Sequence, residues 1–195
     1  MNSSLFRPAL MLLVLLTLVT GILYPLAITG FAQVAFAGSA DGSIIERNGV
    51  PVASRLIGQN FSDTKYFWSR PSATAPQPYN GAASGGSNQG PLNPALLDAV
   101  KGRAETLRAA HPDQKGLVPV DLVTTSASGL DPHESVAAAL YQVERVAKAR
   151  NLPVARVKAL VAEHTNGRFL GLFGEPRVNV VELNLALDAA ATGAP

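Results

Sequence analysis

Between Arg7 and Asp41 the chain carries no charged side chain. Within that run, Ala9 to Phe31 is almost wholly apolar, and about 20 such residues suffice for a helix to cross the roughly 30 Å of bilayer hydrocarbon. A lone segment in lipid must satisfy its own backbone groups, which only a helix does. The run therefore reads as one membrane span, with Thr20-Gly21 and Pro25 as tolerated interruptions and Pro25 giving at most a kink. A cleavable signal is the rival reading, since Ala35-Phe36-Ala37 suits a cleavage site, but a signal's apolar region runs only about 7–15 residues. Arg7 and the α-amino group sit close before the span, whereas Arg47 and Arg55 lie beyond a long neutral gap. The positive-inside bias then puts the N-terminus in the cytoplasm and the rest of the chain in the periplasm of a double-membraned bacterium.

The expected organisation is a cytoplasmic tail over 1–8, the span over 9–31, a linker over 32–43, an extracytoplasmic domain over 44–188 and a tail over 189–195. With Arg7 set aside, 15 of the 16 Lys+Arg face 14 Asp+Glu, a balance of +1 without a basic block. Nucleic acid is a poor partner for such a surface. Cysteine is absent, which removes disulfides, iron–sulfur clusters, thiolate zinc sites and cysteine nucleophiles together.

The soluble part reads as mixed α/β (α+β). Ile44 to Phe67 suggests two or three short strands, and Arg70 to Pro91 is a loop dense in Pro, Gly, Ser and Asn. Asn93-Pro94 opens a helix, with Leu96, Leu97, Val100, Ala104 and Leu107 on one face and His111-Pro112 at its end. Val118 to Val123 reads as a strand. Asp131 is the expected cap of the next helix, with Glu134 at the capping-box position and His133 in the first turn. Val136, Ala139, Leu140, Val143, Val146 and Ala147 form its apolar face, ending near Asn151. A further helix spans Pro153 to Glu163. In the tail from Val178, Val181, Leu183, Leu185 and Leu187 alternate as a strand would, but Asn179 and Glu182 make a capping box and the helix reading is preferred.

Few residues point to catalysis. Ser62-Asp-Thr-Lys65 matches S-x-x-K, which makes an anchored Ser–Lys hydrolase a legitimate hypothesis. No Lys-Thr-Gly follows, and a solvated turn is the preferred reading, so Ser62 and Lys65 are not expected to form a catalytic dyad. His111, His133 and His164 lack metal-ligand spacing and read as helix-terminus residues. Ala83-Ser-Gly-Gly-Ser-Asn88 could wrap an anion with backbone N–H groups, but no Gly-Lys-Ser/Thr follows it. The hydroxyl run Thr124 to Ser128 is either capping chemistry or a docking surface.

A collinear series of strings is more specific. Thr20-Gly-Ile-Leu-Tyr-Pro25, Leu56-Ile-Gly-Gln-Asn-Phe61, Tyr66-Phe67, Arg70-Pro-Ser-Ala73, Tyr79-Asn80 and Ala83 to Asn88 come first. Asp121-Leu-Val-Thr124, Ser126 to Asp131, Arg145 to Asn151 and Val178 to Leu187 follow in order. Together they resemble the C subunit of the bacterial Kdp potassium-transporting ATPase, from about Arg7 to Asp188. The resemblance implies a non-catalytic accessory subunit with one span and one extracytoplasmic domain. Its implied partners are the lipid bilayer, a potassium-channel-like subunit and a P-type ATPase subunit. It implies an assembly role and a chaperone-like effect on ATP binding by the ATPase subunit. It supplies no catalytic residues, no metal and no directly bound cofactor, ATP and potassium being handled by the complex. An extracytoplasmic domain cannot touch ATP, so such an effect must travel through the complex. Candidate partner-interface positions are Thr20, Gly21 and Tyr24 in the span, Ser84, Gly85, Gly86 and Asn88 in the long loop, and Ser126, Ser128 and Asp131. The other readings are the anchored hydrolase and a generic periplasmic binding module.

Overall fold

The computed structural model describes residues 3–192. The chain divides into two compact units, one up to Val52 and one from Ala53 onward.

The first unit is dominated by the apolar run. Helix α1 (Ser3–Leu18) passes through a π-turn (Val19–Leu23) into α2 (Tyr24–Ala35), and Leu5–Ala35 is long and apolar enough to cross a membrane. The π-turn stands where Pro25 has no N–H to give back to the preceding turn, so the bonding shifts to i→i+5, with the Tyr24 N–H donating to the Val19 carbonyl. A short turn of helix, α3 (Ala37–Ala40), follows. Strands β1 (Ile44–Arg47) and β2 (Val50–Ser54) form a two-stranded sheet. The two residues between them, Asn48 and Gly49, both have positive φ (55° and 74°), as a type I′ hairpin turn requires.

The second unit is built on helices. They are α4 (Pro94–Ala110), α5 (Val136–Arg150), α6 (Val154–Glu163) and α7 (Val180–Thr192). Strands β3 (His133–Ser135), β4 (Thr165–Asn166) and β5 (Arg177–Asn179) make an antiparallel sheet in the order β3-β5-β4. The main core joins Ala139, Val143, Val146 and Ala147 of α5 to Val157, Leu160 and Val161 of α6 and Leu183 and Leu187 of α7. Phe67 enters it from the long loop. A second cluster gathers Leu107, Leu122, Val123, Ala138 and Tyr141.

Local signals placed several elements as expected. The Asn93 side chain accepts from the Ala95 N–H ahead of Pro94, and α4 ends at His111. Helix α5 stops at Asn151, in the left-handed conformation with φ 53°. Asn179 Oδ1 accepts from the Val181 and Glu182 N–H groups, so it caps α7 while also closing β5.

Other expectations are corrected. Val118–Val123 is not a strand: Val120–Leu122 is a 3₁₀ turn, and Thr124 Oγ1 donates back to the Val120 carbonyl. Asp131 does not cap α5, which starts five residues later with Ser135 Oγ accepting from the Ala138 N–H. His133 and Glu134 accordingly lie in β3 rather than a first helical turn, because that backbone pairs with β5. Leu97 and Leu140 are exposed, 60% and 43%, since α4 and α5 bury narrower faces than the periodicity implied.

Candidate functional site

From Arg55 to Leu92 the chain has no regular element beyond isolated turns and a bridge, yet it is held closely to the helices. Such a segment must place its backbone polar groups somewhere. Here side-chain amides take them. Asn184 on α7 accepts from the Phe67 N–H at 2.9 Å and donates to the Phe67 carbonyl at 2.9 Å. Gln142 on α5 does the same for Trp68, at 2.8 and 3.1 Å. Both amide side chains are buried. They stand in for a neighbouring strand, gripping two consecutive residues by their backbone.

Arg145, one turn beyond Gln142, fixes the approach to that grip. Its guanidinium donates to Gln142 Oε1 at 2.7 Å, to the Tyr66 carbonyl at 3.0 Å and to the Thr64 carbonyl, and lies 4.4 Å over the Trp68 ring. Its Nε–H donates to His111 Nε2 at 2.9 Å. Burial lowers the Arg145 pKa to about 10 and lowers that of His111 as well, to which the Arg145 charge adds. His111 Nδ1 lies 2.7 Å from the Leu107 carbonyl, so a neutral ring protonated at Nδ1 satisfies both bonds. Glu134 is buried beneath, with Oε2 accepting from Gln142 and Oε1 without a partner. Desolvation, then the charge of Asp121, raises its pKa well above the ordinary 4.5. Arg150 completes the row, donating to the Lys65 carbonyl at 2.6 Å and pairing with Asp188 at 2.8 Å.

Further along, the strap meets the hydroxyl-rich segment in a second seam, where most of the expected interface positions come together. The Gly85 N–H and Ser84 Oγ both donate to the Ser128 carbonyl, at 2.9 and 3.0 Å. The Ser126 N–H donates to the Pro71 carbonyl, and Ser128 Oγ accepts from the Leu130 N–H. A Cβ on Gly86 would stand 2.8 Å from the Ala127 carbonyl oxygen, and one on Gly129 (φ 67°) 2.8 Å from that of Gly85. The close approach therefore requires glycine on both sides. Asp131 Oδ2 pairs with Arg70 at 2.9 Å and its Oδ1 accepts from the His133 N–H at 3.0 Å. Burial pushes this carboxyl up, but the bonds from His133 and the Arg70 charge outweigh it and hold the pKa below the usual range. Asn88 is exposed at φ 49° and stands apart from the seam's hydrogen bonds.

In the first unit, Thr20 Oγ1 in the π-turn donates back to the Leu16 carbonyl of α1, Gly21 has room for a methyl group against Thr17, and Tyr24 is exposed. Ser62 and Lys65 sit on an exposed turn where Lys65 pairs with Asp63 at 3.4 Å, not on a helix that would turn the lysine to the serine. Among the described residues no group of three His, Cys, Asp or Glu side chains is placed to hold a metal ion. The clamp residues Gln142, Arg145 and Asn184 escaped the sequence reading. Their only signal was polar side chains on otherwise apolar faces of α5 and α7.

A helix long and apolar enough for lipid thus precedes a unit whose buried amides hold a long strap in place. Residues 6–189 match the family model of the K+-transporting ATPase c chain, KdpC. The chain belongs to this family, the non-catalytic subunit of the potassium-translocating ATPase. It is 64% identical over 188 residues to the potassium-transporting ATPase KdpC subunit of Dechloromonas aromatica (strain RCB), covering 96% of this chain and 98% of that one. The KdpC subunit of Ralstonia nicotianae (strain ATCC BAA-1114 / GMI1000) is 65% identical over 186 residues, covering 95% and 91%.

Proposed function

We propose that the chain is an assembly subunit of an ATP-driven, high-affinity potassium uptake complex in the bacterial inner membrane. Its N-terminus is cytoplasmic and its domain periplasmic. Its partners are a potassium-channel-like subunit and a P-type ATPase subunit. Thr20, Gly21 and Tyr24 offer the span's packing surface, where small residues let helices approach closely in lipid. Ser84, Gly85, Gly86, Asn88, Ser126, Ser128 and Asp131 mark the domain's docking side. The observation that carries this reading is the strap: 38 residues from Arg55 to Leu92 without a regular element, kept at one place by buried amides and a second glycine seam. A loop this long is retained in a compact unit when it serves recognition. Any effect on ATP binding is then exerted through differential contact with conformations of the ATPase subunit, not at a site on this chain.

Two experiments test it. Purification in mild detergent brings down large multi-span partner chains; a chain that elutes alone from membranes containing the complex overturns the assembly role. A C-terminal alkaline phosphatase fusion is active if the domain is periplasmic, and a bright cytoplasmic fluorescent fusion without phosphatase activity reverses the orientation.

A further inference from the structure

The connection between β4 and β5 ends in Arg168-Phe-Leu-Gly-Leu-Phe-Gly-Glu175. Turns of this kind are ordinarily built from polar residues, but here Phe169, Leu170, Leu172 and Phe173 are 71%, 74%, 76% and 64% exposed. None of the four belongs to either hydrophobic cluster. The tip is nevertheless a built structure. The Phe169 N–H donates to the Phe173 carbonyl at 2.8 Å, and the Leu172 and Phe173 N–H groups donate to the Phe169 carbonyl. Leu170 holds a left-handed φ of 54° and Gly171 one of 74°, a conformation that costs a leucine energy while keeping its side chain in solvent. At the base, Arg168 grips both carboxylate oxygens of Glu175 at 2.9 and 3.0 Å, and Arg177 is exposed beside it.

We propose that this tip inserts into the interfacial layer of the bilayer that the chain's own helix spans, as a second and reversible membrane contact. The occupant follows from the chain itself. The path from Phe36 to Ala53 has a contour of at most about 60 Å, and a unit of this size has a radius of gyration of about 14 Å. The lipid surface is thus permanently within reach of the second unit, at high effective concentration. Two phenylalanines and two leucines on a convex turn, uncharged from Phe169 to Gly174, suit the acyl boundary. Arg168, Glu175 and Arg177 lie where headgroups begin, and arginine adds attraction for anionic lipid. The site works on either side of the membrane.

Because the chain contains no cysteine, a single probe can report. Leu172→Cys and, as control, Leu117→Cys (91% exposed in the wild type) are each labelled with an environment-sensitive fluorophore. The full chain is then reconstituted into phosphatidylcholine–phosphatidylglycerol vesicles with and without doxyl-labelled lipid. The expected result is blue-shifted emission at 172, quenched by doxyl lipid, with Leu117→Cys water-like and unquenched. Equal quenching at both sites overturns the proposal in favour of general adsorption. A shielded probe at 172 that lipid does not quench assigns the tip to a second copy of the chain. A probe exposed in vesicles and shielded only in the assembled ATPase complex assigns it to a protein pocket; either result overturns the lipid site.

Discussion

Arg145 and Trp68, far apart in sequence, stack guanidinium on indole at 4.4 Å, and the same guanidinium donates to His111 Nε2. One side chain thereby joins α5, the end of α4 and the strap. Arg145→Met leaves the Thr64 and Tyr66 carbonyls and His111 without their donor, and should cost about 3 kcal/mol. Arg145→Lys should recover little of it, because an ammonium cannot reach the same fork of acceptors. Urea denaturation checks both, and a full rescue by lysine would show that charge alone matters.

His111 makes the clamp sensitive to acid. Burial holds its folded-state pKa below the ordinary 6.5, so the unfolded chain takes up the proton first. Its contribution is complete above about pH 6.5 and is lost as the pH falls from there toward the folded value. Because Glu134 acts in the opposite direction over the same range, the readout is a difference: the thermal midpoint of the wild type relative to His111→Gln, which keeps an acceptor for Arg145, should fall between pH 7.5 and 5.

Glu134 works with the opposite sign. Its raised folded-state pKa means that the folded chain binds the proton more tightly, so stability falls as pH rises above about 4.5. Glu134→Gln should raise the melting temperature at pH 8 and leave it nearly unchanged at pH 4.5. An equal shift at both pH values would show that the carboxyl is ionised and well paired.

Ser135 and Asp131 separate capping from pairing. Ser135→Ala removes the N-cap of α5 and should cost about 1 kcal/mol. Asp131→Asn keeps an acceptor for the His133 N–H and loses the half-buried pair with Arg70 and the charge facing the His133 ring at 3.4 Å, together worth about 1 kcal/mol or less. If Asp131→Asn leaves folding intact but lowers recovery of partner chains, its charge is part of the docking surface.

Gly129→Ala forces a methyl group into the Thr74 side chain and the Gly85 carbonyl at a left-handed φ. It should open the second seam while the helical core still melts cooperatively. Faster proteolysis between Ser72 and Pro91, with circular dichroism unchanged, is the expected readout.

Where a local rule acted alone, the sequence was sufficient. Asn93-Pro94, Asn151 and Asn179 mark their helix ends, and the uncharged run marks the helix long and apolar enough to cross a membrane. Asn48-Gly49, two residues that tolerate positive φ, is a hairpin signal of the same local kind. The sheet was not legible, because strands of two or three residues such as Thr165–Asn166 show no periodicity. Nor was the clamp: Asn184 meets Phe67 across 117 positions and Gln142 meets Trp68 across 74, and neither pairing leaves a mark in its own neighbourhood. Asp131 misled because Asp-Pro-His-Glu imitates a capping box, while pairing with β5 postpones the helix to Val136.

The amides of Gln142 and Asn184 hold Phe67 and Trp68 by groups that every residue possesses. The downstream turns from Ser72 to Asn88 hang from that fixture and are pinned a second time, by their own glycines, at the Ser126–Gly129 seam. Outward-facing positions there can be retailored to a changed partner without shifting the strap along the helices. Anchorage and recognition can thus drift at different rates within one short stretch of chain.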